Sequence, residues 1–481
     1  MGVKKNFAYS LILTVSGYIF PLIIFPYVSR VLGVDNIGIC SFVDSIINYF
    51  ILFSMMGISS LGIREIASQK NNRDELDKCF SSLVILNGVF TLIAAIVLIA
   101  LIYLVPKFFL YKELLWMGVI KLLFNFLLIE WLFKGLEEFK YITIRSLIIK
   151  ILYAISVFLF VKESSDYPIY YFLSVAMVVI NSVVNYTYSR KYVSFRIIQA
   201  RPFLYLRQFL TIGLYLILTS FYTSFNVTYL GMVSTTTQVG YYSTATKIFS
   251  VFLSIFSAFT GVMLPNMSHL FSQGRMDDFK EMISKSVRAL SSIAIPLIVL
   301  SELLTPEIIA LLAGKGYEGA IPITRVVLPL IFILGYEQIL AIQVLMPMHK
   351  DNALLVNSIV GASFGIIMNV VLVKLYQGLG SSLVWLLSEV LIMALLQFWS
   401  RRYLSLRFPF KQLLISAIVY LPAFVILLLV CKNVENMFIK SAISCGIMAL
   451  YFMIVQLFIL KDDVFVSSLK LVIDRFSKGG K

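Results

Sequence analysis

Charged side chains inside long apolar segments are the residues of this sequence with the most informative chemistry. A charge is costly at membrane depth, so such a group is expected to face a cavity, a bound ion or an opposite charge. The cations inside or at the end of these segments are Lys247, Arg30, Arg325, Lys121 and Lys150. The carboxylates are Asp44, Glu130, Glu337 and Glu389. The sequence therefore predicts functional groups enclosed among helices.

Several of these charged groups have a simpler interpretation. Glu130 and Lys134 are four residues apart, which favours a local ion pair on one helix. Arg325 is near the start of its segment, so its side chain could extend to the membrane interface. Glu337 and Glu389 could bind H+ or Na+, or could form hydrogen bonds within their own half of the protein.

Polar residues also recur on single faces of predicted helices. One face carries small residues and a cation at steps of three and four: Ser243, Lys247, Ser250, Ser254, Ser257 and Gly261. This face could line an aqueous path, or it could form a close helix contact in which Lys247 pairs with a carboxylate. Another face carries Tyr215, Thr219, Tyr222 and Asn226. Its rings and polar groups suit sugar recognition, although tyrosine also commonly joins helices in membranes.

The composition indicates the elements that must position these residues. Of the 481 residues, 60% are apolar and 14% are charged, whereas soluble domains have about 45–50% and about 25%. The mean hydropathy is +0.92. Four scattered cysteines and two histidines argue against a zinc site, and no GxxxxGK[ST] loop suggests ATP hydrolysis. We expect an all-α integral membrane protein with no metal and no catalytic residues.

About fourteen membrane-spanning helices are predicted, each with the roughly 20 apolar residues that a crossing requires. They lie at about 8–31, 38–62, 80–105, 114–134, 141–161, 168–188, 209–230, 239–264, 288–312, 321–347, 353–374, 379–400, 412–431 and 438–460. With the N-terminus in the cytoplasm, the inner loops hold 28 basic residues and the outer loops hold 8. This asymmetry predicts that both termini are cytoplasmic. It also explains the net charge of +15 without nucleic acid.

The sequence repeats itself at a spacing of about 200 residues. Leu32-Gly33 with Ile37-Gly38 recurs as Leu230-Gly231 with Val239-Gly240, at offsets of 198 and 202. An acidic turn at 74–78 recurs at 277–281. Six helices per copy give both copies one orientation, which predicts two pseudo-symmetric six-helix lobes with a substrate site between them. The alternative is a pair of similar hairpins without lobe symmetry.

The predicted division of the chain follows from this repeat. An N-terminal lobe covers 1–200, a C-terminal lobe 201–405, two peripheral helices 406–462 and a cytoplasmic tail 463–481. A short amphipathic segment at about 464–476 is expected on the inner leaflet.

The repeat also relates two charged residues. Ser41, Asp44 and Asn48 share one predicted helical face. The alignment of the copies places Asp44 opposite Thr246 or Lys247. Asp44 could counter Lys247 while the site is empty, it could carry a coupling proton, or the two could form a permanent salt bridge.

Residues near the end of the first helix carry a family resemblance. Pro26–Gly33, Asn36-Ile37-Gly38 and Arg64-Glu65-Ile66-Ala67 resemble the start of a bacterial Wzx-type oligosaccharide flippase. Such flippases are polysaccharide transporters of the multidrug/oligosaccharidyl-lipid/polysaccharide exporter superfamily. The opening segment is fairly specific, and later helices resemble the family mainly in their pattern and in the basic loop near 189–207.

The resemblance implies a carrier for an undecaprenyl-diphosphate-linked oligosaccharide. It would act by alternating access in the bacterial cytoplasmic membrane and supply O-antigen, capsule or exopolysaccharide assembly. No cofactor is expected, an H+ or Na+ gradient is a candidate driving force, and polysaccharide polymerase machinery is a candidate partner.

The candidate residues are assigned to three roles under this resemblance. Diphosphate contact is assigned to Lys247, Arg30, Arg325, Lys121 and Lys150. Cavity lining or ion coupling is assigned to Asp44, Asn48, Glu337, Glu389, Ser243, Ser250 and Ser254. Sugar contact is assigned to Tyr215, Tyr222 and Asn226.

Two other functions are weighed against the flippase. A multidrug or cation exporter of the same superfamily would need an anionic, aromatic cavity, whereas these helices offer several cations. A membrane-embedded polymerase or glycosyltransferase usually has a large loop outside the membrane or an interfacial acidic or histidine cluster. Here the longest outer loops have only about 10 residues, so an enzyme is not expected.

Overall fold

The structure is a computed structural model that describes residues 3–460, with side chains for all of these except 3, 4, 7, 18, 222, 223, 255, 257–259, 261 and 262. Every regular element in this range is helical. The α-helices are α1 Val3–Met55, α2 Ile58–Gln69, α3 Arg73–Leu104, α4 Pro106–Leu110, α5 Lys112–Asn125, α6 Glu130–Gly135, α7 Phe139–Phe160, α8 Tyr167–Ser189, α9 Pro202–Thr223, α10 Phe225–Val233, α11 Thr236–Ser272, α12 Met276–Leu303, α13 Thr305–Leu312, α14 Ala320–Val327, α15 Leu330–Gln338, α16 Asp351–Met368, α17 Lys374–Leu404, α18 Phe410–Asn433 and α19 Met437–Ile454. The predicted all-α class is confirmed.

Short helices of other types connect or extend these elements. Three 3-10 turns lie at Phe126–Leu128, Ser164–Asp166 and Ile197–Gln199. Three π-helical stretches lie at Ile339–Leu345, Asn369–Val373 and Val455–Ile459. The predicted tail at 463–481, with its amphipathic segment, lies outside the described residues.

Eleven segments between residues 3 and 460 are long and apolar enough to cross a membrane. Two of them, 8–69 and 351–404, have 62 and 54 residues, more than twice the roughly 20 that one crossing requires. Each contains a residue outside helical geometry, Gly33 (φ 74°, ψ 171°) or Gln377 (φ 51°, ψ −124°). The chain is therefore a multi-pass helical membrane protein, and the count of fourteen spans stays a prediction.

The first helix differs from expectation in where it is interrupted. Pro21 and Pro26 suggest a bend or break, but α1 remains helical at both and leaves helical geometry at Gly33. Proline removes one hydrogen bond from a helix, and the Arg30 guanidinium donates to the Pro26 carbonyl at 2.6 Å. The positive φ at residue 33 requires the conformational freedom of glycine.

Two predicted helices contain a break in helical geometry, although the one at 114–134 coincides with a single candidate membrane span, Lys112–Gly135. The helix predicted at 114–134 ends at Asn125, and α6 begins after Ile129, which has a left-handed φ of 35°. The helix predicted at 209–230 ends at Thr223, and α10 begins after Ser224. The hydroxyls of Thr219 and Ser220 donate to carbonyls of their own helix, a competition that weakens helical geometry.

The chain forms two compact units. The first contains 1–243, 312–316 and 365–381, and the second contains 244–311, 317–364 and 382–481. A core of the first unit packs α2, α3 and α6 around Leu61, Leu83 and Trp131. A core of the second unit packs α18 against α19 around Tyr420 and Met448. The predicted lobe boundaries stay a prediction.

The first unit brings together the repeated Ile-Gly and Val-Gly motifs. A Cβ atom added to Gly38 would overlap the Thr236 carbonyl oxygen, and one added to Gly240 would overlap the Val34 carbonyl oxygen. Each glycine thus packs on the carbonyl four residues before the other. The two contacts are related by the same offset of 202 residues as the glycines themselves.

Candidate functional site

Asp44 and Lys121 form an ion pair inside the first unit. Asp44 lies on the second part of α1, and the Lys121 ammonium on α5 donates to its Oδ1. Asn48, one turn after Asp44, donates from Nδ2 to Oδ2 at 3.1 Å. The Lys121 side chain is only 12% exposed, so its charge is balanced within the protein by a neighbouring helix.

Three tyrosines, Tyr153, Tyr170 and Tyr171, lie in the neighbourhood of this ion pair. Tyr153 on α7 and Tyr170 on α8 are hydrogen-bonded to each other through their side chains. Both lie close enough to Asp44 for its charge to act on them, as does Tyr171. The Tyr171 hydroxyl is buried without a hydrogen-bond partner in the described part of the chain. The sequence analysis singled out none of these tyrosines, since a periodic pattern on one helix does not reveal rings converging from two.

A second buried network centres on Arg145 of α7. Its guanidinium donates to Glu130 Oε1 at 2.6 Å and to the amide oxygen of Asn185 on α8. Asn185 in turn donates to the Leu128 carbonyl, next to the break before α6. Arg145 was counted among the basic residues of an inner loop, but it is buried inside a helix. Sequence reasoning missed this network because 145 lies at a predicted span boundary.

The predicted pair of Glu130 and Lys134 is present, with 3.7 Å between Nζ and Oε2. Glu130 is therefore shared between Lys134 and Arg145. The closer and more buried partner is Arg145, so the local pair is the weaker of the two contacts.

The remaining candidate cations of the first unit have different neighbours. The Lys150 ammonium on α7 donates to the Ser16 hydroxyl at 2.8 Å, so a neutral group accepts this contact. Arg30 donates to its own helix at Pro26 and packs against Gly314. Neither contact pairs the cation with a carboxylate.

In the second unit, Arg325 lies near a carboxylate. Its Nε is 4.0 Å from Glu302 Oε2, and half of the Arg325 side chain is exposed. A side chain with this exposure could bind an anion or extend to the membrane interface, so both expectations for Arg325 stay predictions.

Lys247 lies on α11, which is helical from 236 to 272 and therefore carries the predicted stripe on one element. Lys247 is half-buried and Ser243 is buried. The Ser250 hydroxyl donates to the Lys247 carbonyl at 2.7 Å, and Ser254 donates to Val251 at 2.6 Å. The side chains at 257 and 261 are not among those that the structure describes. The stripe thus contains hydroxyls bound to their own helix beside a cation.

Glu337 and Glu389 meet inside the second unit. Glu337 on α15 and Glu389 on α17 are both buried, and their carboxyl groups lie within hydrogen-bonding reach of each other. Trp385 donates to Glu389 Oε1 at 2.9 Å. Glu337 Oε1 and Glu389 Oε2 are buried without a donor from any described residue. Two facing carboxyl groups require at least one shared proton or a cation.

The sugar-contact candidates lie on two helices, α9 and α10. Tyr215 lies half-buried on α9, while Asn226 lies on α10 beyond the break at Ser224. Asn226 is fully buried, where it donates to the Tyr242 hydroxyl at 3.3 Å and accepts from Asn369 at 2.8 Å. The Tyr222 side chain lies outside the description. The break at Ser224 separates Tyr215 from Asn226, and the common face predicted for these residues stays a prediction.

No group of three or more His, Cys, Asp or Glu side chains in the described range could hold a metal ion. Long apolar helices with enclosed ion pairs and enclosed carboxyl groups define a class of protein, the polytopic helical membrane transporter. Within that class the family can be identified. Residues 3–271 match the family described as polysaccharide biosynthesis protein, and the chain belongs to this family.

Curated relatives match nearly their whole length. The putative O-antigen transporter of Escherichia coli (strain K12) is 24% identical over 410 residues, which cover 83% of this chain and 97% of that protein. The putative O-antigen transporter of Shigella dysenteriae is 24% identical over 398 residues, which cover 81% and 98%. The protein is therefore a membrane transporter of polysaccharide biosynthesis and not an enzyme, and the resemblance to Wzx-type flippases is confirmed.

Solved structures establish the fold. The lipid II flippase MurJ in an inward closed conformation superposes with a TM-score of 0.78 at 16% identity, over 96% of this chain and 99% of that chain. An inward-facing multidrug resistance MATE family transporter superposes with a TM-score of 0.59 at 12% identity, over 80% and 94%. The fold is thus one that a lipid-linked substrate transporter and a drug transporter share.

Proposed function

We propose that this protein moves an undecaprenyl-diphosphate-linked oligosaccharide from the inner to the outer leaflet of the bacterial cytoplasmic membrane. The observation that carries the proposal is the match to O-antigen transporters over 97% of the length of the relative from Escherichia coli. The fold of a lipid II flippase supports a lipid-linked substrate. Transport by alternating access would supply O-antigen, capsule or exopolysaccharide assembly, with polymerase machinery as a candidate partner.

The proposed topology has fourteen spans and both termini in the cytoplasm. Its support is the excess of basic residues in the inner loops. The proposed lobes, 1–200 and 201–405, with peripheral helices over 406–462, rest on the repeat and on its even number of helices per copy.

The proposed diphosphate contacts are made by cations, because paired phosphate oxygens need compensating charge. Lys150 is supported by its contact with a neutral hydroxyl, Ser16, which leaves its charge unbalanced by that partner. Lys247 is supported by its place on the polar stripe of α11. Lys121 already pairs with Asp44, so we assign the two residues one joint role, in which a phosphate competes with Asp44 for the ammonium group.

The proposed coupling site is the carboxyl pair Glu337 and Glu389. One proton held between them would satisfy the two buried oxygens that have no donor. Loss of that proton would leave two like charges together in an apolar setting, which is unfavourable. Protonation can therefore favour one packing of α15 against α17 over another.

A drug exporter is the second candidate function, because the MATE fold superposes as well. The tyrosine-lined Asp44 site is the observation that favours it, since aromatic rings and a carboxylate suit an organic cation. The ion pair with Lys121 weighs against this alternative, because the ammonium group occupies the carboxylate.

The test is deletion of the gene, followed by localisation of the lipid-linked oligosaccharide. The proposal expects the intermediate to accumulate facing the cytoplasm, and it expects rescue by the wild-type gene. Lys150→Met should fail to rescue, whereas the exposed Lys432→Met should succeed. Normal translocation in the deletion strain together with altered drug tolerance would instead identify an exporter.

A further inference from the structure

The segment 190–207, which connects α8 to α9 and includes the first residues of α9, is hydrogen-bonded to the start of α3. The Ser194 amide donates to Asp77 Oδ1 at 2.8 Å, and the Arg196 amide donates to the Ser81 hydroxyl at 2.8 Å. The three acceptor side chains on α3, which include Ser82 for the Arg201 amide, are at most 1% exposed. A segment with this anchoring presents a defined outer surface.

That outer surface is apolar. Ile198 is 100% exposed, Phe203 85% and Leu204 68%. Ile198 lies in the 3-10 turn Ile197–Gln199, whereas Phe203 and Leu204 lie at the start of α9, where a candidate membrane span begins at Pro202. Exposed apolar groups of this size indicate contact with a membrane or with another protein.

The same segment is strongly basic. Residues 190–207 contain five basic residues and no acidic residue. Arg196 is neutralised by Asp74 and Asp77. In the described part of the chain no carboxylate lies within 4.0 Å of the other four, Arg190, Lys191, Arg201 and Arg207. Apolar side chains mixed with uncompensated cations are typical of a segment that lies in the headgroup region of an anionic bilayer.

A cavity of about 290 Å³ opens beside this surface. Its polar lining includes Arg190, Ser189 and Ser194, and its apolar lining includes Phe80, Val193 and Phe195. The Arg190 guanidinium lies over the Tyr186 ring, with 5.2 Å between its central carbon and the ring centroid. The Ser189 hydroxyl donates to the Tyr186 carbonyl, which leaves Arg190, Ser194 and the apolar lining to match a phosphate group with attached acyl chains.

We propose that this segment is a binding site for an anionic phospholipid of the membrane that contains the protein. Arg190 and the Ser194 hydroxyl bind the phosphate, Phe195 contacts the glycerol and upper acyl region, and Ile198, Phe203 and Leu204 insert among the acyl chains. The lipid is a resident ligand and not the transported substrate, so the site is independent of the proposed flippase activity. Its position between the two repeat copies ties the connection of the copies to the membrane surface.

The first test measures lipid selectivity of the purified full-length protein by native mass spectrometry. Phosphatidylglycerol should be retained in preference to phosphatidylcholine. Arg190→Gln should weaken phosphatidylglycerol retention about fivefold, the effect of one basic residue at an anionic surface, while the exposed Arg402→Gln should not. Equal effects of the two variants would overturn the proposal, as would displacement of the lipid by inorganic phosphate at equal concentration.

The second test measures insertion directly and does not depend on the cavity. Ile198→Trp is placed in vesicles with phosphatidylglycerol brominated on its acyl chains, with the parent protein as the background for the four native tryptophans. The added tryptophan should be quenched by brominated phosphatidylglycerol. Fluorescence that stays unquenched would overturn the proposal and would assign the apolar surface to a protein partner.

Discussion

Asp35 accepts a hydrogen bond from the hydroxyl of Thr237, the residue exactly one repeat offset of 202 positions later. Thr236 donates to the same carboxylate oxygen at 3.5 Å. In the predicted two-lobe arrangement, a contact between equivalent positions would lie on the axis that relates the copies, as in a symmetric dimer interface. With the reciprocal packing of Gly38 and Gly240, it places these two repeat motifs face to face within the first unit.

Gly38→Val is expected to destabilise the protein. Its Cβ would overlap the Thr236 carbonyl oxygen, which belongs to the backbone and cannot rotate away. Overpacking of this kind costs about 1–3 kcal/mol. The measurement is thermal unfolding in detergent. Gly17→Val is the control, because no atom lies within 4 Å of a Cβ at that site of α1, and equal losses from both variants would refute the repeat contact.

Lys121→Met is expected to reduce stability, because Asp44 then lacks its charged partner in a setting shared with three tyrosines. Removal of one partner from a buried pair costs about 3–5 kcal/mol, and the 37% exposure of Asp44 lowers this to about 1–3 kcal/mol. Adding Asp44→Asn should recover part of the loss. A double variant whose loss equals the sum of the single losses would show that the two charges are not coupled.

A second double-mutant cycle, of Asp44 with Lys247, tests whether Lys247 binds the diphosphate or forms a structural pair with Asp44. Lys247→Met is expected to abolish transport if that ammonium group binds the diphosphate. Restoration of activity when Asp44→Asn is added to Lys247→Met would instead favour a structural pair of those two residues. The flipping rate of each variant, normalised to its amount in the membrane, provides the comparison.

Arg145→Met is expected to cost about 1–3 kcal/mol, because it removes the closer cation of Glu130, whose 35% exposure and second partner Lys134 lower the roughly 3–5 kcal/mol of a buried pair. Lys134→Met removes the other cation near Glu130, at 3.7 Å and with 37% exposure, and should cost at most about 1 kcal/mol. Unfolding in detergent measures both. A larger loss from Lys134→Met would overturn the assignment of Arg145 as the principal partner.

Glu389→Gln is expected to leave the protein folded and to uncouple transport from a pH gradient. The amide keeps an acceptor for Trp385 but cannot share a titrating proton with Glu337. Transport should then run at one rate with or without an imposed gradient. If transport by Glu389→Gln still accelerated in the gradient as wild-type transport does, the coupling site would lie elsewhere. Glu302→Gln, in the same unit, is the matched control.

Periodicity predicted much of this fold because apolar spans and turn motifs are local features. Gly33 located the break between the first two spans. The spacing of four residues predicted the pair of Glu130 and Lys134. The breaks at Ile129 and Ser224 were missed because neither residue interrupts a helix by its own chemistry, as proline and glycine do.

The partners of the buried charges could be predicted less well. Lys121 pairs with Asp44 from 77 positions away, and Arg145 reaches Asn185 on another helix. No spacing rule connects such residues, since helix packing decides which faces meet. The sequence did indicate that Glu337 and Glu389 are unusual, because each is a carboxylate inside an apolar segment, but it did not indicate that they meet.

The central claim is tested most directly by reconstitution of the purified protein into vesicles that carry a labelled undecaprenyl-diphosphate oligosaccharide. A membrane-impermeant glycosidase reports the fraction of glycan on the outer face over time. Wild-type protein should bring nearly all of the glycan to the enzyme, while Lys150→Met should stop at the outer-leaflet half. Wild-type vesicles that also stop at half, as protein-free vesicles do, would contradict the assignment of this protein as a flippase.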